Sequence, residues 1–174
     1  MFGHVVMGVD PGLTRCGYAV LSMTSAQSIK PLAIGVLRTP PSAPLHDRLA
    51  EIHSEIDALL TEFSPNAVAV EQVFFQNNVR TAMSVGQASG IVLALAARAG
   101  CDVAQYTPSQ VKNTVAGWGA ATKDQVGRMV QQRLSLDHIP QPADAADAAA
   151  IALCHCSLAP FNASRDAALT RGVR

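Results

Sequence analysis

Net charge is the first thing this chain lacks: 13 Lys+Arg stand against 13 Asp+Glu in 174 residues, and only 15% of positions are charged. A zero balance argues against a protein that grips nucleic acid by bulk electrostatics, because that affinity scales with the number of phosphates neutralised. Long apolar runs are missing too, and no stretch approaches the length of a membrane span. The start, MFGHVV, runs straight into apolar sequence with no charged n-region, so no signal peptide is expected. Cysteine is confined to Cys16, Cys101, Cys154 and Cys156 without framework spacing, which predicts a reduced, cytoplasmic protein and not a disulfide scaffold. What is present is 49% hydrophobic residues, enough for one compact domain with a proper core.

The charge is unevenly spread. Between Arg98 and Arg133 five basic residues (Arg98, Lys112, Lys123, Arg128, Arg133) face two acidic ones (Asp102, Asp124). The acids fall at unusual places. Asp10 ends the apolar run Val5, Val6, Met7, Gly8, Val9, which reads as a buried strand stopped by Pro11 and Gly12. Glu71 ends a second such run, Ala67 to Val70. A carboxylate at the end of a core strand is costly to leave unpaired, although each alone reads equally well as a turn residue or a cap. Asp144 and Asp147 sit three residues apart in the alanine-rich DAADAAAIA, a helix by propensity, which puts both on one face. No cation follows in the next turn. The pair either caps a helix N-terminus or holds a divalent cation through oxygen ligands. Four acids at three such positions in a chain with only 13 favour the second reading.

The patterning predicts strands near 4–10, 16–22 and 32–38, the first two joined by the Asp10 to Arg15 turn as part of an antiparallel meander. Pro40, Pro41 and Pro44 precede an amphipathic helix over about 45–63 with Leu49, Ile52, Ile56, Leu59 and Leu60 on one face. A strand at 67–71, a helix over 79–99, a strand near 102–106 and helices from Pro108, Thr122 and Ala143 follow. A meander followed by alternating elements reads as an α/β fold, a mixed sheet flanked by helices. The domain is expected to span 1–158, with 159–174 a flexible tail. Cys154, His155 and Cys156 look like a soft-metal cluster, but they lack a second pair and are expected to pack in the core. Trp118, between two glycines, is expected to anchor a loop.

Four segments carry a family resemblance: VDPGLTRCGYAV from Val9, VEQVFFQNN from Val70, Gln110 to Gln125 (QVKNTVAGWGAATKDQ) and PADAADAAAIALCHC from Pro142. In order and without large gaps, from about Val6 to Cys156, the chain resembles the RuvC family of bacterial Holliday-junction resolvases within the RNase H-like superfamily. The resemblance implies an RNase H-like five-stranded sheet. It implies an endonuclease that cuts four-way DNA junctions in recombination and repair, with two Mg²⁺ per active site, for which Mn²⁺ can substitute. Asp10, Glu71, Asp144 and Asp147 would be the metal ligands, with Asp10 shared by both ions. Phe74 would stack on a base, Lys112 and Lys123 would contact phosphate, and Arg80 is a further DNA-binding candidate. The implied partners are junction DNA, a second copy of the chain in a homodimer sharing the small-residue stripe Ala82, Gly86, Ser89, Gly90 and Leu93, and the branch-migration motor RuvA–RuvB.

Two other classes stay in view. A catalytically silent junction-binding module would be expected to have lost one or more acids. A kinase- or actin-like ATPase fragment would set phosphate against Gly12 and Thr14, but needs a second lobe that 174 residues do not supply.

Overall fold

The computed structural model describes residues 4–25, 28–72 and 79–171, with the side chains of 79–81 and 160–171 outside that description. Five strands form one sheet: β1 (His4–Asp10), β2 (Arg15–Ser25), β3 (Ser28–Arg38), β4 (Ala67–Glu71) and β5 (Asp102–Tyr106). Their order is β3-β2-β1-β4-β5. The first three pair antiparallel, as the short connections between them allow, while β4 and β5 join in parallel through helical crossovers. The helices are α1 (Leu45–Phe63), α2 (Val79–Arg98), α3 (Pro108–Ala116), α4 (Lys123–Arg133) and α5 (Ala143–Arg171). The mixed, helix-flanked sheet expected from the patterning is present, with β2 and β3 each longer than the predicted spans and α2 ending at Arg98.

Strand alternation sorts the central residues into two cores. Met7, Val9, Val20, Val68 and Val70 meet Ile52, Ile56, Leu59, Leu60 and Val92 of α1 and α2 on one face. Val6, Ala19, Leu21 and Ala69 meet α5 on the other, and α3 and α4 cover α5 from outside. With the sheet beneath it and two helices above, α5 is buried on every side from Ala148 through Cys156, and this is why its sequence shows no polar stripe.

Two glycines set how deeply α5 sits. A Cβ at Gly8 would stand 2.6 Å from the backbone nitrogen of Ala152 and closer still to the carbonyl oxygen of Ala148. One at Gly17 would stand 2.6 Å from the carbonyl carbon of Asp144. Alanines on the helix and glycines on the sheet therefore let two backbones touch. As backbone, the helix runs through Arg171, so the loss of periodicity from Ala159 does not mark its end.

Candidate active site

Period-two alternation places Asp10 on the face of Val6 and Gly8, and Glu71 on the face of Ala67 and Ala69; both faces are the one that α5 covers. β1 and β4 are adjacent and parallel, so the two strand ends lie side by side. Glycine-mediated contact lays the first turn of α5 over the same end, because Asp144 rests on Gly17, the register partner of Asp10. Four acids from three segments distant in sequence are thus brought together at one end of the central strands.

Asp10, Glu71 and Asp147 line a cavity of about 210 Å³ together with Lys112, Lys123, Pro108, Val111, Val126 and Ala150. Asp144 lies beside it, toward β2. Burial pushes the Asp10 carboxyl up to about 7, aided by the charges of Glu71, Asp147 and Asp144. Burial also raises Glu71, with Asp147 adding to the effect. Like charges in a desolvated site disfavour each other's ionisation, and a cation reverses that.

The sequence shows no cation near Asp144 and Asp147 in the following turn of their own helix, but the tertiary structure supplies two from elsewhere. Lys123 Nζ donates to Asp147 Oδ2 at 2.7 Å, and Arg15 Nε lies 3.2 Å from Asp144 Oδ2. Lys123 is the first residue of α4, where the helix dipole disfavours a cation. Its charge is instead held up by the hydrogen bond to Asp147 and the nearby Asp10 and Glu71. The guanidinium of Arg15 is close enough for an ion pair but not aligned for a hydrogen bond, and Asp144 Oδ2, shut off from water, accepts none from the described residues. Among the described residues no three His, Cys, Asp or Glu side chains already stand as a closed metal-ligand group. The donors are nonetheless hard oxygens that repel one another, one of them buried without a hydrogen-bond partner among the described residues, and that chemistry fits a hard divalent cation.

Lys112 and Lys123 are set by matched helix starts. Thr107 and Gln110 form a capping box for α3, and Thr122 and Gln125 form one for α4. Phe74 lies outside the described residues, and Arg80 falls in α2 where only backbone is described. Trp118 keeps 51% of its surface exposed. Cys154 and Cys156 are buried core residues, and His155 Nδ1 pairs with the Tyr106 hydroxyl at 3.0 Å. Sequence reasoning missed Arg15; its signal is the hairpin register, which carries residue 15 past the Gly17–Asp10 pair to the same end.

This sheet order, with carboxylates at adjacent strand ends and on the helix crossing them, defines an RNase H-like nuclease. The family model described as "Crossover junction endodeoxyribonuclease RuvC" matches residues 6–155. The chain belongs to the RuvC family. It is 45% identical over 156 residues to the crossover junction endodeoxyribonuclease RuvC of Corynebacterium jeikeium, covering 90% of this chain and 96% of that one. It is 51% identical over 155 residues to that of Streptomyces avermitilis, covering 89% and 88%. Among solved structures, T. thermophilus RuvC in complex with Holliday junction substrate superimposes with a TM-score of 0.87 at 41% identity, covering 91% of this chain and 96% of that one. The yeast mitochondrial Holliday junction resolvase Ydc2 shares the fold at a TM-score of 0.62 and 14% identity, covering 87% and 78%.

Proposed function

We propose that this chain is a metal-dependent endonuclease that resolves four-way DNA junctions by paired nicks, leaving 5′-phosphate and 3′-hydroxyl ends. The observation that carries this is the gathering of Asp10, Glu71, Asp144 and Asp147 at one end of the central strands of a RuvC-family chain, with their mutual repulsion only partly offset by Lys123 and Arg15. Those four side chains would hold two Mg²⁺, for which Mn²⁺ can substitute, and the ions when bound supply an attacking hydroxide and stabilise the leaving oxygen.

The protein's own groups do the positioning. Lys112 on the cavity wall and Lys123 at the start of α4 offer phosphate two cations on the β4–β5 side of the acids. Lys123, held by Asp147, is available to a phosphate oxygen once that carboxylate is otherwise engaged. Phe74 would stack on a base at the crossover, and Arg80 would add a backbone contact. Residues 1–158 would carry the nuclease and 159–174 a tail. Two copies related by a twofold axis would cut symmetrical strands. The RuvA–RuvB motor would deliver the junction, in the cytoplasm.

The test is a labelled synthetic four-way junction, with a linear duplex of the same sequence, incubated with and without Mg²⁺. Paired nicks in the junction alone, requiring the ion and religatable, are expected. Tight junction binding without cleavage would make the chain a silent binding module, and ATP turnover would favour the ATPase alternative.

A further inference from the structure

A second cluster of cations lies on the other side of the acids. Arg15 and Arg38 are register partners across β2 and β3, so their side chains leave the sheet on the same face. Arg15 is two residues before Gly17, whose face is the one covered by Asp144, so this is the active-site face. Like charges directly opposite one another are unfavourable, and only Arg15 is offset by an acid, Asp144; Arg38 is exposed and has no ion-pair partner among the described residues.

The two arginines border an open groove of about 520 Å³ with Thr14, Thr39, Pro40 and Pro41. Its floor is firmly built. Thr39 Oγ1 donates to the Leu13 carbonyl at 2.6 Å and Thr39 N to the Thr14 carbonyl at 3.2 Å. Arg48 reaches from α1 beneath them, with Nε donating to Thr39 Oγ1 at 2.8 Å and Nη2 to Thr14 Oγ1 at 2.7 Å. These partners are neutral, and no acid pairs with Arg48 among the described residues, so a third positive charge is locked under the groove. Adjacent strands are about 4.8 Å apart, which puts β3 roughly 10 Å across the sheet from β1 and Asp10.

We propose that Arg15 and Arg38 line a phosphate-binding track for the strand being cut, on the side of the acids opposite Lys112 and Lys123. The inference rests on the chain's being a junction endonuclease. A strand crossing the acid cluster from α3 and α4 runs onto this groove, which no acid among the described residues lines. Arg15 has 53% of its side chain exposed while Asp144 has 21%, so the guanidinium can contact phosphate without leaving its carboxylate. It therefore also positions the scissile strand against Asp144.

Arg38 gives the cleaner test, since Arg15 touches an acid of the site. Junction binding is measured against salt concentration in an Asp10→Asn background, for the otherwise unaltered chain and for Arg38→Gln, Arg38→Lys and Lys30→Gln. Lys30 is on the same strand, at its far end. Losing one phosphate contact should lower the log–log salt slope by about 0.9 and, near 0.1 M salt, weaken binding about eightfold. Arg38→Lys should restore most of the slope, and Lys30→Gln should change nothing. Parent-like slope and affinity in Arg38→Gln, or an equal loss in Lys30→Gln, would overturn the track. Cleavage by the chain with Asp10 intact, run alongside in Mg²⁺, tells this failure apart from failure of the junction-cutting reading itself.

Discussion

Gly17→Ala is a one-methyl perturbation that tests how the acid cluster is assembled. The added Cβ would lie 2.6 Å from the Asp144 carbonyl carbon and 3.3 Å from the Ala148 Cβ, nearer still to the Asp144 carbonyl oxygen. These are backbone and first-carbon atoms that no rotamer change can move aside. Restoring ordinary contact, which begins at 3.4 Å, asks α5 to retreat by about 0.8 Å at its first turn to clear the carbonyl carbon and by more to clear the carbonyl oxygen. Overpacking of this kind costs about 1–3 kcal/mol. For a chain of this size each kcal/mol is worth roughly 2–4 °C, so Tm should fall by about 2–12 °C. The larger effect is on the chemistry: lifting Asp144 and Asp147 away from Asp10 and Glu71 by on the order of 1 Å should slow junction cleavage about 100-fold. Thermal melting and single-turnover cleavage well below Tm measure the two effects separately. Gly35→Ala is the comparison, because its Cβ would meet the Tyr18 hydroxyl 2.7 Å away and the ring carbons at 2.9 Å, on the opposite face from the acids. It should lower Tm yet leave cleavage near the parent rate. A Gly17→Ala protein with parent Tm and parent rate would refute the claim that backbone contact at Gly17 sets the position of α5.

Asp10→Asn should abolish cleavage while junction binding holds or tightens, since a ligand and a negative charge facing DNA are both lost. The same variant has a pH signature without metal. The folded-state pKa of Asp10, about 7, lies above the 3.8 of an ordinary aspartate, so the stability conferred by the protonated form is complete below the lower value and lost as pH rises to the upper one. Asn keeps that form's neutrality. In chelator the variant should therefore melt higher than the parent at pH 8 and match it near pH 4, and adding Mg²⁺ at pH 8 should stabilise the parent alone; equal melting at pH 8 would show that Asp10 is not strained. Lys112→Ala and Lys123→Ala should each flatten the salt dependence of junction binding by roughly one log–log unit, and unchanged slopes would leave them as ordinary solvated lysines. Phe74→Ala should lose about 1–3 kcal/mol of stacking, seen as slower junction cleavage with Tm retained, whereas Phe75→Ala, if that ring is core, should lose about 3–5 kcal/mol of stability; a Phe74→Ala protein that melts early but cuts normally while folded would assign that ring to the core instead.

The site was legible to different depths. Asp10 and Glu71 could be read because each interrupts an apolar run at its end, and period-two alternation then fixes the face each one takes. Asp144 and Asp147 could be read as neighbours because helical spacing is local. Their cations could not. Lys123 is 24 residues from Asp147, and Arg15 is on another element altogether from Asp144. A search of the following turn of α5 looks in the wrong direction, since the compensating charge arrives by packing.

The same division holds for the whole chain. Local chemistry in the sequence determined the elements: the proline break before α1, the apolar face of Ile52, Ile56, Leu59 and Leu60, the Thr–Gln capping pairs of α3 and α4, and the helix-forming alanines of α5. Motif agreement along the chain determined the family. Only the tertiary structure decided that β4 adds beside β1, that α5 presses onto Gly8 and Gly17, and that Arg15, Arg38 and Arg48 gather at the β2–β3 edge. The physical reason is range. Propensity, capping and periodicity act within a few residues, whereas ion pairing, desolvation and close backbone contact depend on which distant segments share a surface, and strand order and helix depth set that here.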